Sequence, residues 1–394
     1  MLKTLPLCLA ISLGITISAN AQYLPTPSFP VGAAGIGARY HFTSDPPNVE
    51  EAEVMVGLGA KMHKFNLAPL TPNNWTLLQT AQQDIGIASI LALPFETFVF
   101  WNYSQNASNA SPSPSNPTAD NVFAPQYLQT NYDEIYDLVI WLRRVYNGSN
   151  RSFFIGDWEM DNKMACSGGC DPLPATIANV IAWENTRQQA VDDAKAATPD
   201  SSVAVWHYAE INFVQQVISG STKPRMINAV LPDINPDYVS YSSWDSLWPS
   251  ITALPGALTY IQTHMPPKPG VPAVRDFVGE FGAKASYWGA DKQASLSMSI
   301  INEALKWGAP LLFYWAVYDN TTSGYWLIDA TDTPQPIYYS FQEQYKATQS
   351  SFASSSRRSS SMRRRSSSSC GAAFCWARMS RHPHRRPQVT APSS

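Results

Sequence analysis

The sequence is poor in cysteine, with five in 394 residues. It also lacks an apolar run long enough to cross a membrane. The stretch Leu5 to Ile17 falls short of the ~20 residues a spanning helix needs, and no later span follows it. A glycine-rich phosphate loop is missing as well. GAAGIG (32–37) precedes an apolar run and opens no helix, so it is not a dinucleotide fingerprint. Acidic side chains are absent from residues 351–394, which hold nine Arg. The first 350 residues therefore carry 18 basic against 30 acidic side chains. An acidic body of this kind argues against nucleic acid as a partner.

The scarce cysteines divide by place. Cys8 lies in the N-terminal apolar run, and Cys370 and Cys375 lie near the C-terminus. Cys166 and Cys170 form CSGGC, which an oxidising compartment favours as a local disulfide. A zinc pair is the alternative, but no histidine is near in sequence.

Lys3, the run Leu5 to Ile17 and the small-x-small site Ala19-Asn20-Ala21 read as a secretory signal peptide over 1–21. Sequons at Asn74, Asn102, Asn106, Asn109, Asn147, Asn150 and Asn320 agree with a secreted, extracellular protein. At the other end, 347–394 is Ser/Arg low complexity and cannot build a core. A flexible linker, a basic surface-binding tail and a translation artefact remain open readings of it.

Between these ends, 22–346 alternates strand-like and helix-like segments. Apolar runs stand at 36–42, 60–67, 88–94, 152–159, 202–209, 238–243, 277–281 and 311–318. The clearest helix is 132–146, where Ile135, Leu138, Val139, Leu142 and Val145 recur at helical spacing. Eight strand–helix units in order predict an α/β fold, a closed (β/α)8 TIM barrel in one domain. An open doubly wound sheet is the alternative. In a barrel, polar residues at the C-terminal strand ends form the active site. Strand four ends GDWEMDN, with Asp157, Trp158, Glu159, Asp161 and Asn162. Strand seven ends in Glu280, and strand eight carries Trp315. The 13 tryptophans suit sugar recognition as well as core packing.

V-G-E-F-G (Val278 to Gly282), followed about thirty residues later by FYWAVYDN, resembles the nucleophile strand and the following strand of clan A retaining glycoside hydrolases. The resemblance implies Glu280 as nucleophile, Glu159 as acid/base and Trp315 as sugar platform. It also implies a cleft for carbohydrate and no cofactor or metal. That family usually has Asn directly before the acid/base. Trp158 stands there instead, which leaves Asn162 and Asp161 as the nearest polar substitutes. Trp158 and the flanking acids are expected to keep Glu159 protonated, since apolar contact and like charge both raise a carboxyl pKa. Tyr241 is expected to give its hydroxyl to Glu280. His207 is kept among the substrate-side candidates, although a hydrogen-bonded scaffold role suits it better than that of a base. Lys64 and Asn66 reach toward the mouth but stay outside the catalytic set, and Glu96 and Glu210 are weaker candidates still. The expected function is a monomeric hydrolase cleaving a β-linked poly- or oligosaccharide by double displacement. A non-catalytic glycan-binding barrel and a cell-wall transglycosylase are the alternatives.

Overall fold

Eight strands, all parallel and hydrogen-bonded in sequence order, close on themselves through pairing of the first with the last. They are β1 (Val31–Gly35), β2 (Met62–Asn66), β3 (Thr97–Trp101), β4 (Ser152–Gly156), β5 (Ala204–Ile211), β6 (Tyr238–Ser242), β7 (Asp276–Phe281) and β8 (Leu312–Tyr314). This computed structural model describes residues 29–69, 74–104, 123–165, 171–248 and 250–350. The signal segment, Asn106, Asn109, Cys166, Cys170 and almost all of the Ser/Arg stretch lie outside those residues.

Helices between the strands are α1 (Pro47–Leu58), α2 (Leu77–Gln83), α3 (Ile85–Ala92), α4 (Leu128–Val145), α5 (Met160–Met164) and α6 (Pro174–Ala196). There follow α7 (Val214–Ile218), α8 (Trp244–Leu247), α9 (Leu254–His264), α10 (Ala285–Trp288) and α11 (Ala290–Trp307). A helical stretch that starts at 336 comes after β8. Local chemistry sets several ends. Thr76 and Gln79 form a reciprocal capping box at α2. Asp84 accepts from the Ile87 N–H and starts α3. Gly59 ends α1 at φ 94°, in the left-handed region. The α4 stripe expected from its spacing is buried at Ile135, Leu138, Val139 and Leu142.

Alternation along each strand makes two layers. Met62, Val99, Phe154, Trp206, Tyr208, Tyr238, Phe277 and Phe313 fill the inside. The other face packs against the helices. Among the described residues, no helix is long and apolar enough to cross a membrane.

The barrel agrees with the expectation from sequence, but two strands lie elsewhere. The run 36–42 is not a strand; β1 is the preceding VGAAG. Small residues hid it, and packing requires them. A Cβ on Gly32 would come within 2.8 Å of Met62 and 2.9 Å of Phe313. The run 88–94 belongs mainly to α3, and β3 is the TFVFW that follows it, outside the eight runs expected as strands. A short apolar run does not by period alone distinguish a strand from a buried helix.

Candidate active site

The C-terminal ends of β4 and β7 bring the two expected carboxylates together. Glu159 follows β4, and Glu280 lies near the end of β7. The Ser242 hydroxyl, at the end of β6, lies 3.2 Å from Glu159 Oε1 and 3.0 Å from Glu280 Oε2. One hydroxyl therefore reaches both groups. Together these contacts cap the separation of those two oxygens at about 6 Å, against ~5–5.5 Å for retaining pairs and ~6.5–9.5 Å for inverting ones.

Glu280 is 2% exposed and ringed by donors. The Trp158 indole donates to Oε1 at 2.6 Å, and the Trp244 indole to Oε2 at 3.1 Å. Lys64 Nζ lies 3.6 Å from Oε1. Glu159 is half-buried and accepts from Asn162 Nδ2 at 2.8 Å and Asn212 Nδ2 at 3.2 Å. Its backbone is left-handed, with φ 47°, and its N–H donates to Glu210 Oε1 at 3.0 Å.

Beneath the pair lies a fully buried ion pair. Lys64 Nζ is 2.7 Å from Glu210 Oε2 and donates to the Gly279 carbonyl at 3.1 Å. Ser240 donates to the same Glu210 oxygen at 2.7 Å. A Cβ on Gly279 would meet that oxygen at 2.8 Å, so only glycine lets β7 pass here.

Electrostatics couple these groups. Burial raises the Glu159 pKa, and the charge of Glu210 adds to it; Asn162, Ser242 and Asn212 oppose it. The Glu280 pKa is raised to about 8: burial is the main cause, Lys64 pulls against it, and the charges of Glu210 and Glu159 add to it. Two carboxylates this close hold a proton as a pair near neutrality. Burial alone favours Glu280 as its carrier. Hydrogen bonding favours Glu159, because a proton on either oxygen of Glu280 would face N–H donors.

Above the pair is an aromatic wall. Trp158 stacks on Trp315 with centroids 6.1 Å apart and 5° between planes, and on Trp101 at 5.9 Å. Tyr103 bonds the Trp158 backbone at N and O. Trp315 thus joins the wall through Trp158, whose indole reaches Glu280.

Several expectations need correction. Tyr241 does not reach Glu280. It lies on the helix-facing side of β6 and donates to Asp245 at 2.5 Å. Alternation turns Ser240 and Ser242 inward and Tyr241 outward, so Ser242 takes that role. His207 is not at the mouth. It faces α6, with Nε2 3.4 Å from Arg187 Nε and 3.5 Å from Glu184, and burial and Arg187 hold it well below the usual histidine range. The like charge raising Glu159 is Glu210, not Asp157 or Asp161. Asp157 accepts from the Glu210 N–H, and Asp161 from the N–H groups of Asn212 and Met226, so both are structural. Asn162 does sit on Glu159. Asn102 is fully buried, and its Oδ1 takes a bond from Arg187, which leaves no room for a glycan. Asn74, Asn147, Asn150 and Asn320 are exposed.

Sequence reasoning missed Ser242 and Asn212 and set Lys64 and Glu210 aside. Strand alternation offers a signal for two of them: Trp206, Tyr208 and Glu210 share one side of β5, and Lys64 shares that side of β2 with Met62. Among the described residues no cluster of His, Cys, Asp and Glu could hold a metal.

No family model and no curated protein matches this chain. Solved structures do. An exo-beta-1,4-mannosidase from Opitutaceae bacterium strain TAV5 is 15% identical over 81% of this chain, with TM-score 0.52; the chain covers 59% of that protein. A GH5_18 from Bifidobacterium longum subsp. infantis is 14% identical over 80% of this chain and 78% of its own, with TM-score 0.53. A mutant of P fluorescens subsp. cellulosa xylanase A, in complex with xylopentaose, is 13% identical over 81% of this chain and 98% of its own, with TM-score 0.52. At these identities the likeness is one of fold, and the fold is the (β/α)8 barrel that these proteins carry.

Proposed function

We propose that this chain is a secreted retaining glycoside hydrolase that cleaves a β-linked poly- or oligosaccharide. The observation that carries the reading is the Ser242 hydroxyl in contact with both Glu159 and Glu280, which keeps their facing oxygens within about 6 Å, short of the ~6.5–9.5 Å of an inverting pair. Glu280, ionised by its ring of donors, attacks the anomeric carbon and forms a glycosyl–enzyme. Glu159 gives its proton to the leaving oxygen, then takes one from the water that releases the sugar. The stack of Trp101, Trp158 and Trp315 gives the sugar an apolar wall beside Glu280. Glycoside hydrolases among the structural neighbours support the substrate class. The N-terminal apolar run with its small-x-small site, and the exposed sequons, support secretion.

The test is hydrolysis of a β-glycan panel by the unmodified chain, Glu280→Gln and Glu159→Gln. Both variants should lose at least about a thousandfold in kcat, and the first product should keep its anomeric configuration. Azide should restore turnover to Glu159→Ala and give a β-glycosyl azide. Full activity in either Gln variant, or an inverted product, refutes the mechanism. Glycan binding without released reducing ends would favour the non-catalytic alternative.

A further inference from the structure

A cavity of about 610 Å³ opens beside the carboxylates, lined by Trp244, Trp248, Lys284, Tyr287, Trp288 and Tyr325. It lies among the loops that follow β6, β7 and β8, and no step of the proposed reaction uses it. Trp244 joins it to the reacting centre, since its indole donates to Glu280 at 3.1 Å.

The walls are preformed. Trp248 and Trp288 stack at 5.6 Å with 23° between planes, and Trp244 and Tyr325 meet edge-on at 5.3 Å. The loops after β7 and β8 are joined by two backbone bonds, Ala285 N–H to Gly324 O at 3.2 Å and Ser286 N–H to Ser323 O at 3.1 Å. Asp319 fixes the second loop by accepting from the N–H groups of Thr321 and Gly324. Yet the inner surface is open: Tyr287 is 75% and Trp288 39% exposed. Large aromatic rings packed on one another and left bare are a place for a flat ligand with an apolar face. A cavity of this size has room for a sugar unit.

One lining residue is charged. Lys284 Nζ lies 6.0 Å from the centroid of Tyr325, and it is exposed in a body that is otherwise rich in acid. A cation at the edge of an aromatic cup repels an amino sugar and pairs with a carboxylate.

We propose that this basin is a second sugar subsite, that it takes a uronate unit of the chain being cleaved, and that Lys284 meets the uronate carboxylate. This rests on the proposed glycosidase reading and narrows its substrate class to acidic glycans.

The test is binding, so it needs no turnover. Titration calorimetry on full-length protein carrying Glu280→Gln would compare glucuronic-acid-substituted xylo-oligosaccharides with unsubstituted ones. The substituted ligand should bind about fivefold tighter, and added salt should erase the difference. Trp288→Ala should weaken both ligands about tenfold. Lys284→Gln should weaken only the acidic one, and Lys284→Arg should keep the preference. Equal binding of the two ligands by the parent overturns the uronate assignment. Unchanged binding in Trp288→Ala, or no binding of either ligand by the parent, overturns the subsite. Failure of the glycosidase reading looks different: no hydrolysis by the unmodified chain while these binding differences persist.

Discussion

Glu210 Oε1 accepts the backbone N–H of Glu159 at 3.0 Å, while its other oxygen pairs with buried Lys64 at 2.7 Å. Glu159 needs such a hold. A non-glycine residue at φ 47° costs on the order of 1–3 kcal/mol and persists only where its surroundings fix it. One buried carboxylate thus aims the proposed acid and anchors the cation that faces the proposed nucleophile.

Opposite substitutions in this pair should move the acid limb of the pH–rate profile in opposite directions. Lys64 lowers the Glu280 pKa and Glu210 raises it. Glu280 must be ionised to attack, so activity is gained as pH rises through its pKa. Lys64→Met should shift that limb to higher pH, and Glu210→Gln should shift it to lower pH. Each leaves a buried partner uncompensated and should lower stability by about 3–5 kcal/mol. Urea melts and kcat/KM against pH read both effects; limbs that move together would refute this assignment.

Trp158→Phe removes the indole N–H from Glu280 but keeps a ring against Trp101 and Trp315. A hydrogen bond to a charged group contributes about 1.5–3 kcal/mol, so stability should fall by no more than that, while the loosened Glu280 should lower kcat roughly 10- to 100-fold. An unchanged kcat beside a lowered stability would mean that the indole packs and does not position.

Glu51 should set a pH dependence of stability through the segment after β1. It is fully buried, accepts from the Gly37 N–H at 3.0 Å, and burial raises its pKa to about 8. The folded state therefore binds its proton more tightly than the unfolded state. Its contribution is full below the unfolded value of 4.5, and each pH unit above that removes up to about 1.4 kcal/mol until about pH 8. Glu51→Gln should flatten stability between pH 5 and 8, which denaturant melts at those pH values would show. An unchanged slope would clear Glu51 of the effect.

Glycan occupancy should follow exposure. In a secretory host, peptide mapping should find glycan at one or more of Asn74, Asn147, Asn150 and Asn320, and none at Asn102. A glycan at Asn102 is incompatible with its burial against Arg187.

Sequence period and order were enough for the barrel, for α4 and for the two glutamates, because strand–helix alternation and strand-end position are local properties. They were not enough for β1, where VGAAG has no strand-like side chains. Its small residues answer to Met62 and Phe313, which are neighbours only once the barrel closes. Nor did they settle β3, since IGIASILA and TFVFW are both short apolar runs and only packing separated helix from strand.

By itself, then, the sequence determined that acids stand at the ends of β4 and β7 with tryptophans about them. Tertiary structure decided which neighbours act on those acids. Tyr241 and Ser242 are adjacent in sequence, yet the pleat sends one to the helices and the other between Glu159 and Glu280. Lys64, Glu210 and Glu280 lie far apart along the chain and meet because barrel closure points all three inward. Once there, low dielectric makes their charges felt by one another.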